Sequence, residues 1–174
     1  MTSQGTWPRP SPSSRARATD NDEFRGVSAL IKGDVLQIIE GYISTYFDQA
    51  QYEELTKPIP GNKLLSAPDV VQKAQRFGNR EDKNFVVELY EHGNKGWEGV
   101  NEAYNSPPIF TEQVIHPEKY FSGEEPQRTI TPNLAAKMGK GWEQLSANTM
   151  GEFLLRTYLE QHLDDGPAAE AAAG

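Results

Sequence analysis

One short stretch of the sequence places a histidine between two carboxylates. Glu112, His116 and Glu118 lie within seven residues, and Pro117 stiffens the backbone beside the histidine. Histidine and carboxylate side chains exchange protons near neutral pH, so this stretch is a candidate acid/base or substrate-orienting loop. In the alternative interpretation it is a structural turn: Pro117 sets the backbone, His116 caps a helix end, and residues 120–121 anchor the loop to the core. We favour the structural turn.

A second unusual stretch is Lys32-Gly33-Asp34, which lies inside a long apolar repeat. Glycine in a helix interior costs about 1 kcal/mol relative to alanine. A glycine at such a position permits close helix packing or gives access to a site. We expect close packing here, and Lys32 and Asp34 are the charged candidates if the glycine serves a site.

No histidine pair in the sequence has the spacing of a zinc site. An H-E-x-x-H helix places two imidazoles on one side of the metal and leaves the glutamate to activate water. The three histidines, His92, His116 and His162, are instead 24 and 46 residues apart, and cysteine is absent. We therefore assign no catalytic residue, no metal ligand and no cofactor to this chain.

Composition argues against two further classes of partner. Lys and Arg total 17 against 25 Asp and Glu, and the formal charge of −8 disfavours a nucleic-acid binder. No apolar run approaches the ~18 residues of a membrane span, and the N-terminus lacks the apolar stretch of a secretory signal. As written, the sequence predicts a cytoplasmic protein without a membrane span.

The elements that must position these residues are predicted to be mostly helical. Over residues 27–47, apolar side chains recur every three or four positions, which predicts a long amphipathic helix with a wide apolar face. Shorter helices are predicted over 85–90 and 97–104. One or two helical turns are predicted from Thr111, followed by a loop over 118–123.

The last third of the chain combines a helix with weaker strand signals. Thr149 and Glu152 have the spacing of a capping box and predict a final helix after them. Residues 127–131 and 142–147 are bounded by turn-forming residues and are predicted as two short strands of one hairpin. The predicted fold class is therefore mainly α with a minor β hairpin (α+β).

The two ends differ in composition from the middle. Residues 1–22 are rich in Pro, Ser and Arg and contain too few apolar side chains to offset the entropy of ordering, so we predict a disordered tail. Residues 23–163 form the predicted α-rich domain. Residues 164–174 are acidic and alanine-rich and are predicted as a second tail.

Four strings of the sequence carry a family resemblance. They are SALIKGDV at 28–35, GWEGVN at 96–101, TEQVIHPEKY at 111–120 and NTMGEFLLR at 148–156. In this order they resemble the C-terminal part of bacterial zinc-metallopeptidase-like proteins of the H-E-x-x-H, gluzincin-like kind, which are often secreted or lipid-anchored. The resemblance covers about residues 24–174 and implies an incomplete metallopeptidase-like domain.

The same resemblance implies that the metal site is missing from this chain. In such proteins an H-E-x-x-H helix precedes the first string, and a glutamate in the pattern E-G-D-A looks like the third ligand. Here Lys32 stands at that glutamate's position, and no histidine precedes residue 21. A protonated lysine does not ligate zinc and repels a divalent ion. Zinc is then expected only if a second chain supplies the ligands.

Three functional hypotheses follow. The first is a catalytically incomplete remnant or pseudo-enzyme that acts as a binding module. The second is one half of a split zinc peptidase whose H-E-x-x-H segment lies on another chain. The third is a scaffold or peptide-binding domain unrelated to peptidases. If neighbours of the long helix are missing, its apolar face should also promote self-association.

Overall fold

The fold is a set of short helices packed against one long helix. The computed structural model describes residues 21–57, 61–68, 71–73, 80–125, 132, 134–143 and 148–173. In chain order the α-helices are α1 (Asn21–Tyr46), α2 (Gln49–Leu55), α3 (Glu81–Glu91), α4 (Trp97–Ala103), α5 (Thr111–Ile115), α6 (Pro117–Ser122), α7 (Leu134–Met138), α8 (Glu152–Leu159) and α9 (Asp165–Ala173). Short 3-10 turns occupy Lys63–Ser66 and His92–Asn94.

The mainly helical fold class is confirmed. Throughout the described residues the secondary structure is helical or turn-like, and no strand occurs there. Of the predicted hairpin, residues 127–131 lie outside the described part, and Trp142 and Glu143 lie inside it without forming a strand. No described helix has the apolar run that a bilayer crossing requires.

The core forms where α1 crosses α3. Its buried side chains come from α1, α3, α4 and α5, and they are Ala29, Leu30, Phe85, Val86, Leu89, Val100, Ala103 and Val114. Burying such aliphatic and aromatic side chains is the main favourable term in folding, at about 1.5–3 kcal/mol for each large one. The N-terminal half of α1 is thereby held firmly by the rest of the domain.

Gly33 explains how closely α1 and α3 approach. The residue is buried, and a Cβ built on it would lie 2.1 Å from the Asp82 carbonyl oxygen and 2.7 Å from Val86 Cγ2. Real Cβ atoms essentially never come so near to another heavy atom. The prediction that this glycine serves close helix packing is confirmed.

The junction between α5 and α6 agrees with the structural interpretation of the histidine stretch. His116 is the C-cap of α5, and its backbone N–H donates to the Glu112 carbonyl. Pro117 is the first residue of α6. Tyr120 and Phe121 pack against the core. The loop predicted over 118–123 is instead mostly the helix α6, because Pro117 has the fixed φ that suits a first helical turn.

Both ends of the domain extend further than the predicted boundaries. α1 begins at Asn21, and Asp22 is 1% exposed, so the boundary between residues 22 and 23 cuts through a packed helix. At the other end, α9 packs on α8 and buries Ala168 and Ala172. Small alanine side chains let this helix approach closely, so the segment predicted as a second tail belongs to the fold.

Candidate functional site

His116 lies between one buried and one exposed carboxylate. Its Nε2 is 2.9 Å from Glu152 Oε1, and its Nδ1 is 3.7 Å from Glu118 Oε1. The side chain of Glu152 is 5% exposed, whereas that of Glu118 is 74% exposed. His116 and Glu118 are thus brought together as predicted, and the stronger partner is Glu152, the first residue of α8.

Glu152 was not a candidate in the sequence, because its spacing from Thr149 indicated a capping box. The structure shows another arrangement: Gly151 is the N-cap of α8, and no side chain caps that position. Asn148 Oδ1 accepts from the backbone N–H of Asn21 and so caps α1 instead. The capping-box prediction was wrong because Glu152 turns towards a histidine that lies 36 residues away along the chain.

Near this pair lies the buried carboxylate of Asp22, which belongs to the segment predicted as the N-terminal tail. Asp22 Oδ1 accepts from the Thr111 hydroxyl at 2.7 Å, and Asp22 Oδ2 accepts from the Thr111 backbone N–H at 3.0 Å. The same hydroxyl accepts from the backbone N–H of Phe153 at 3.3 Å. Asp22 and Thr111 therefore connect the first turns of α1, α5 and α8.

Gly151 makes room for this carboxylate. A Cβ built on Gly151 would lie 1.9–2.1 Å from the carboxyl atoms of Asp22. Helix N-termini carry partial positive charge, so a carboxylate at their meeting point is favourable. We call Asp22, Thr111, His116 and Glu152 the polar junction.

Two polar atoms near the start of α1 and α8 are buried without a hydrogen-bond partner among the described residues. They are Arg25 Nε and Glu152 Oε2. The Arg25 guanidinium lies 5.3 Å from the centre of the Phe153 ring, in a cation–π contact. Within the described residues, one member of the polar junction, Glu152, and the neighbouring Arg25 therefore each keep one buried polar atom without a hydrogen bond.

The chemistry open to the polar junction is limited by the environment of Thr111. A histidine bonded to a carboxylate is suited to proton transfer and orients a nucleophile when one is within reach. The hydroxyl of Thr111 is buried and already makes hydrogen bonds to Asp22 and Phe153. The geometry therefore favours stabilisation of three helix N-termini over nucleophilic catalysis by Thr111.

Replacing Asp22 by asparagine is expected to lower the free energy of unfolding by about 2–3 kcal/mol, because hydrogen bonds to a buried charged acceptor are lost. Urea denaturation at pH 7 measures the change. Glu23→Gln is the matched control, since Glu23 lies in the same helical turn but is not fully buried. Equal effects of the two substitutions would contradict the role assigned to the Asp22 carboxylate.

Glu112 does not join the polar junction. Its carboxylate pairs with Lys119, whose Nζ also lies 3.6 Å from Glu124 Oε1. The hydrogen bond to Glu112 raises the pKa of Lys119. Of the three predicted loop residues, Glu112 therefore forms a separate ion pair that links α5 to α6.

Lys32 and Asp34 are also separate from the polar junction. They lie ten and twelve residues after Asp22 on α1, which is about 15–18 Å along the helix axis. Asp34 Oδ2 accepts from the Tyr104 hydroxyl at 2.7 Å, and burial together with this hydrogen bond raises the pKa of Tyr104. Lys32 is exposed. The five predicted site residues thus do not form one centre, and only His116 and Glu118 are brought together.

A second candidate site is the side of α1 that faces away from α3. Phe24 and Tyr42 are each nine residues from Gly33, or two and a half helical turns, so they lie opposite the core. We call the exposed stripe on this side the outer face; it consists of Phe24, Val35, Ile38, Ile39, Tyr42 and Tyr46. These side chains are 46–67% exposed. The wide apolar face predicted for this helix is therefore buried only in part.

The outer face continues into an aromatic cluster at the end of α1. The Tyr42 ring lies 4.8 Å from the Tyr46 ring and 6.1 Å from the Phe47 ring, measured between centroids. Phe47 and Tyr52 line a groove of about 420 Å³ between α1 and α2. Asp48, at its edge, is engaged as the N-cap of α2 through Gln51. Glu40, Ser44 and Gln49 also line this groove, so it is polar as well as apolar and lies beside the outer face without extending it.

The described residues do not form the zinc site of the family that the four sequence strings resemble. No group of three or more histidine, aspartate or glutamate side chains in that part of the chain is placed to hold a metal ion. Lys32, at the position of the expected third ligand, is an exposed lysine. No family model, curated protein or solved structure matches the chain.

Proposed function

We propose that this chain is a protein-interaction module that binds another helix through the outer face of α1. The observation that carries the proposal is the outer face itself: a single stripe of large apolar side chains, each about half exposed. Contiguous apolar surface of this size on a folded domain marks a contact site for a partner.

The two sides of α1 support the same proposal. One side is buried through Ala29, Leu30 and Gly33, and the opposite side carries Val35, Ile38 and Tyr42. A helix that is apolar on both sides is normally covered on both sides. The domain covers the first, and a partner helix would cover the second.

We also propose that this binding module is an incomplete metallopeptidase-like domain, as the resemblance of the four sequence strings implies. Binding requires no metal, and the metal-ligand position occupied by Lys32 is open to solvent. The polar junction supports the role of a scaffold, because Asp22 and Thr111 hold α1 to α5 and α8. The domain would then serve to present the outer face in a defined orientation.

Selection of helix-forming peptides from a phage-displayed library tests the proposal. We expect selected peptides to carry apolar residues three and four positions apart and to bind the chain in the micromolar range. The double variant Ile38→Lys, Tyr42→Lys should weaken that binding at least tenfold. Fluorescence anisotropy with labelled peptides measures the loss.

The matched control is the double variant Ile109→Lys, Tyr158→Lys. Ile109 and Tyr158 are also exposed, at 41% and 57%, and lie outside α1. This variant should bind the peptides as the unaltered chain does. Equal binding by both double variants would refute a role for the outer face, provided that circular dichroism shows both to be folded.

A further inference from the structure

We infer that the partner of the outer face is a second copy of this chain, paired through α1 as a two-helix coiled coil. This inference rests on the proposed function and names the partner for the same surface. Three properties of α1 carry it: the spacing of its outer residues, the area that they offer and the absence of charge among them.

The spacing is that of a coiled-coil seam. Positions alternating four and three apart run along the outer side of α1 for three heptads: Phe24, Ser28, Ile31, Val35, Ile38, Tyr42 and Thr45. Such a repeat keeps one line of side chains turned towards a neighbouring helix, where each inserts between four residues of the partner. The same line on a second copy supplies the required complement.

The exposed apolar area of the outer face is large enough for a dimer interface of modest size. An aromatic side chain contributes about 150–250 Å² and an aliphatic one less, so the outer face, about half exposed, offers on the order of 600 Å² per copy. Two copies would then bury on the order of 1,200 Å², which is where stable interfaces begin. Tyr42 on the seam and Tyr46 beside it, with ring centroids 4.8 Å apart, supply aromatic anchors of the kind that dominate binding energy.

Charge favours a like partner over a basic one. None of the seven seam positions carries an ionisable acid or base other than the phenol of Tyr42. Glu40 lies on the inner side of α1 and pairs with Lys83 of α3. A cationic helix or a nucleic acid would find no opposite charge along an uncharged seam. A second uncharged seam can dock there without the free-energy cost of removing charged side chains from water.

Sedimentation equilibrium on the full chain over 1–300 μM tests the inference. At physiological ionic strength we expect a reversible monomer–dimer equilibrium between 19.4 kDa and twice that mass, with a Kd in the micromolar range. Ile38→Lys with Tyr42→Lys should leave only monomer. The two lysines change the formal charge from −8 to −6, which weakens the electrostatic repulsion between two copies. A loss of the dimer therefore cannot be attributed to increased repulsion.

The control variant Ile109→Lys, Tyr158→Lys makes the same charge change and should dimerise as the unaltered chain does. If the unaltered chain is monomeric at every concentration while selected peptides still bind the outer face, the second-copy inference fails and the proposed function stands. If a dimer forms and persists in the Ile38→Lys, Tyr42→Lys variant, the outer face is not the dimer interface and the inference is wrong.

Discussion

Gly33→Ala is expected to lower the free energy of unfolding by about 3 kcal/mol, the upper part of the range for overpacked cores. The added methyl would lie 2.1 Å from the Asp82 carbonyl oxygen, which belongs to the backbone of α3. Backbone cannot move aside as a flexible side chain does, so α1 and α3 must separate. That separation exposes part of the core around Leu30 and Val86.

Gly41→Ala in the same helix is the matched control. A Cβ on Gly41 would have no heavy atom within 4 Å, and the residue is exposed. Alanine there should raise the free energy of unfolding by about 0.5–1 kcal/mol, because glycine is the poorer helix former. Urea denaturation at one fixed protein concentration measures both variants. If Gly33→Ala raised the free energy of unfolding, as Gly41→Ala is expected to do, α1 and α3 would not approach as closely as described.

The second large effect expected is a loss of stability between pH 4 and pH 7 that depends on Asp82. Asp82 is 1% exposed, and its Oδ1 has no hydrogen-bond partner among the described residues. Burial raises the pKa of Asp82 from an ordinary 3.8 to about 7; Lys32 opposes this shift and Glu81 adds to it. A carboxyl group whose pKa is raised by folding stabilises the fold more in its protonated form than in its ionised form.

The sign follows from proton binding. Between pH 4 and pH 7 the folded chain holds a proton on Asp82 that the unfolded chain has lost, so stability falls as pH rises through this window. The total loss by pH 8 is about 4 kcal/mol. Asp82→Asn should remove this pH dependence because asparagine stays neutral.

Urea denaturation between pH 5 and pH 8.5 compares Asp82→Asn with the unaltered chain. Glu81→Gln serves as the control, since Glu81 lies one residue earlier in the first turn of α3 and is only partly buried. That variant should keep most of the pH dependence. A pH profile for Asp82→Asn that parallels the unaltered chain would show that Asp82 is ionised in the fold at neutral pH.

The helices follow from local sequence to a large extent. The apolar repeat over 27–47, the breaks at Gly93 and at the two prolines 107–108, and Pro117 at a first helical turn all act through backbone preferences within a few residues. Those preferences predicted α1, α3 and α4 and the helical class. They missed α6 because a six-residue helix has too short a repeat to distinguish from a loop.

The contacts of the polar junction could not be predicted from local sequence. Asp22 and Thr111 are 89 residues apart, and His116 and Glu152 are 36 apart, so no pattern of neighbouring residues indicates either contact. Glycine 151 next to Glu152 was the one local signal, since a glycine at a helix start leaves space for a group from elsewhere. The sequence therefore indicates a space at Gly151, but it does not indicate that the Asp22 carboxylate fills it.

By itself, the sequence determined the helical class, the amphipathic character and C-terminal end of α1, and the role of Gly33, because these depend on the chemistry of residues near each other along the chain. Only the tertiary structure decided which side of α1 is buried. A wide apolar face has more surface than one neighbour covers, and the position of α3 leaves Val35, Ile38 and Tyr42 exposed. That choice is made by packing between distant segments, which local preferences do not encode.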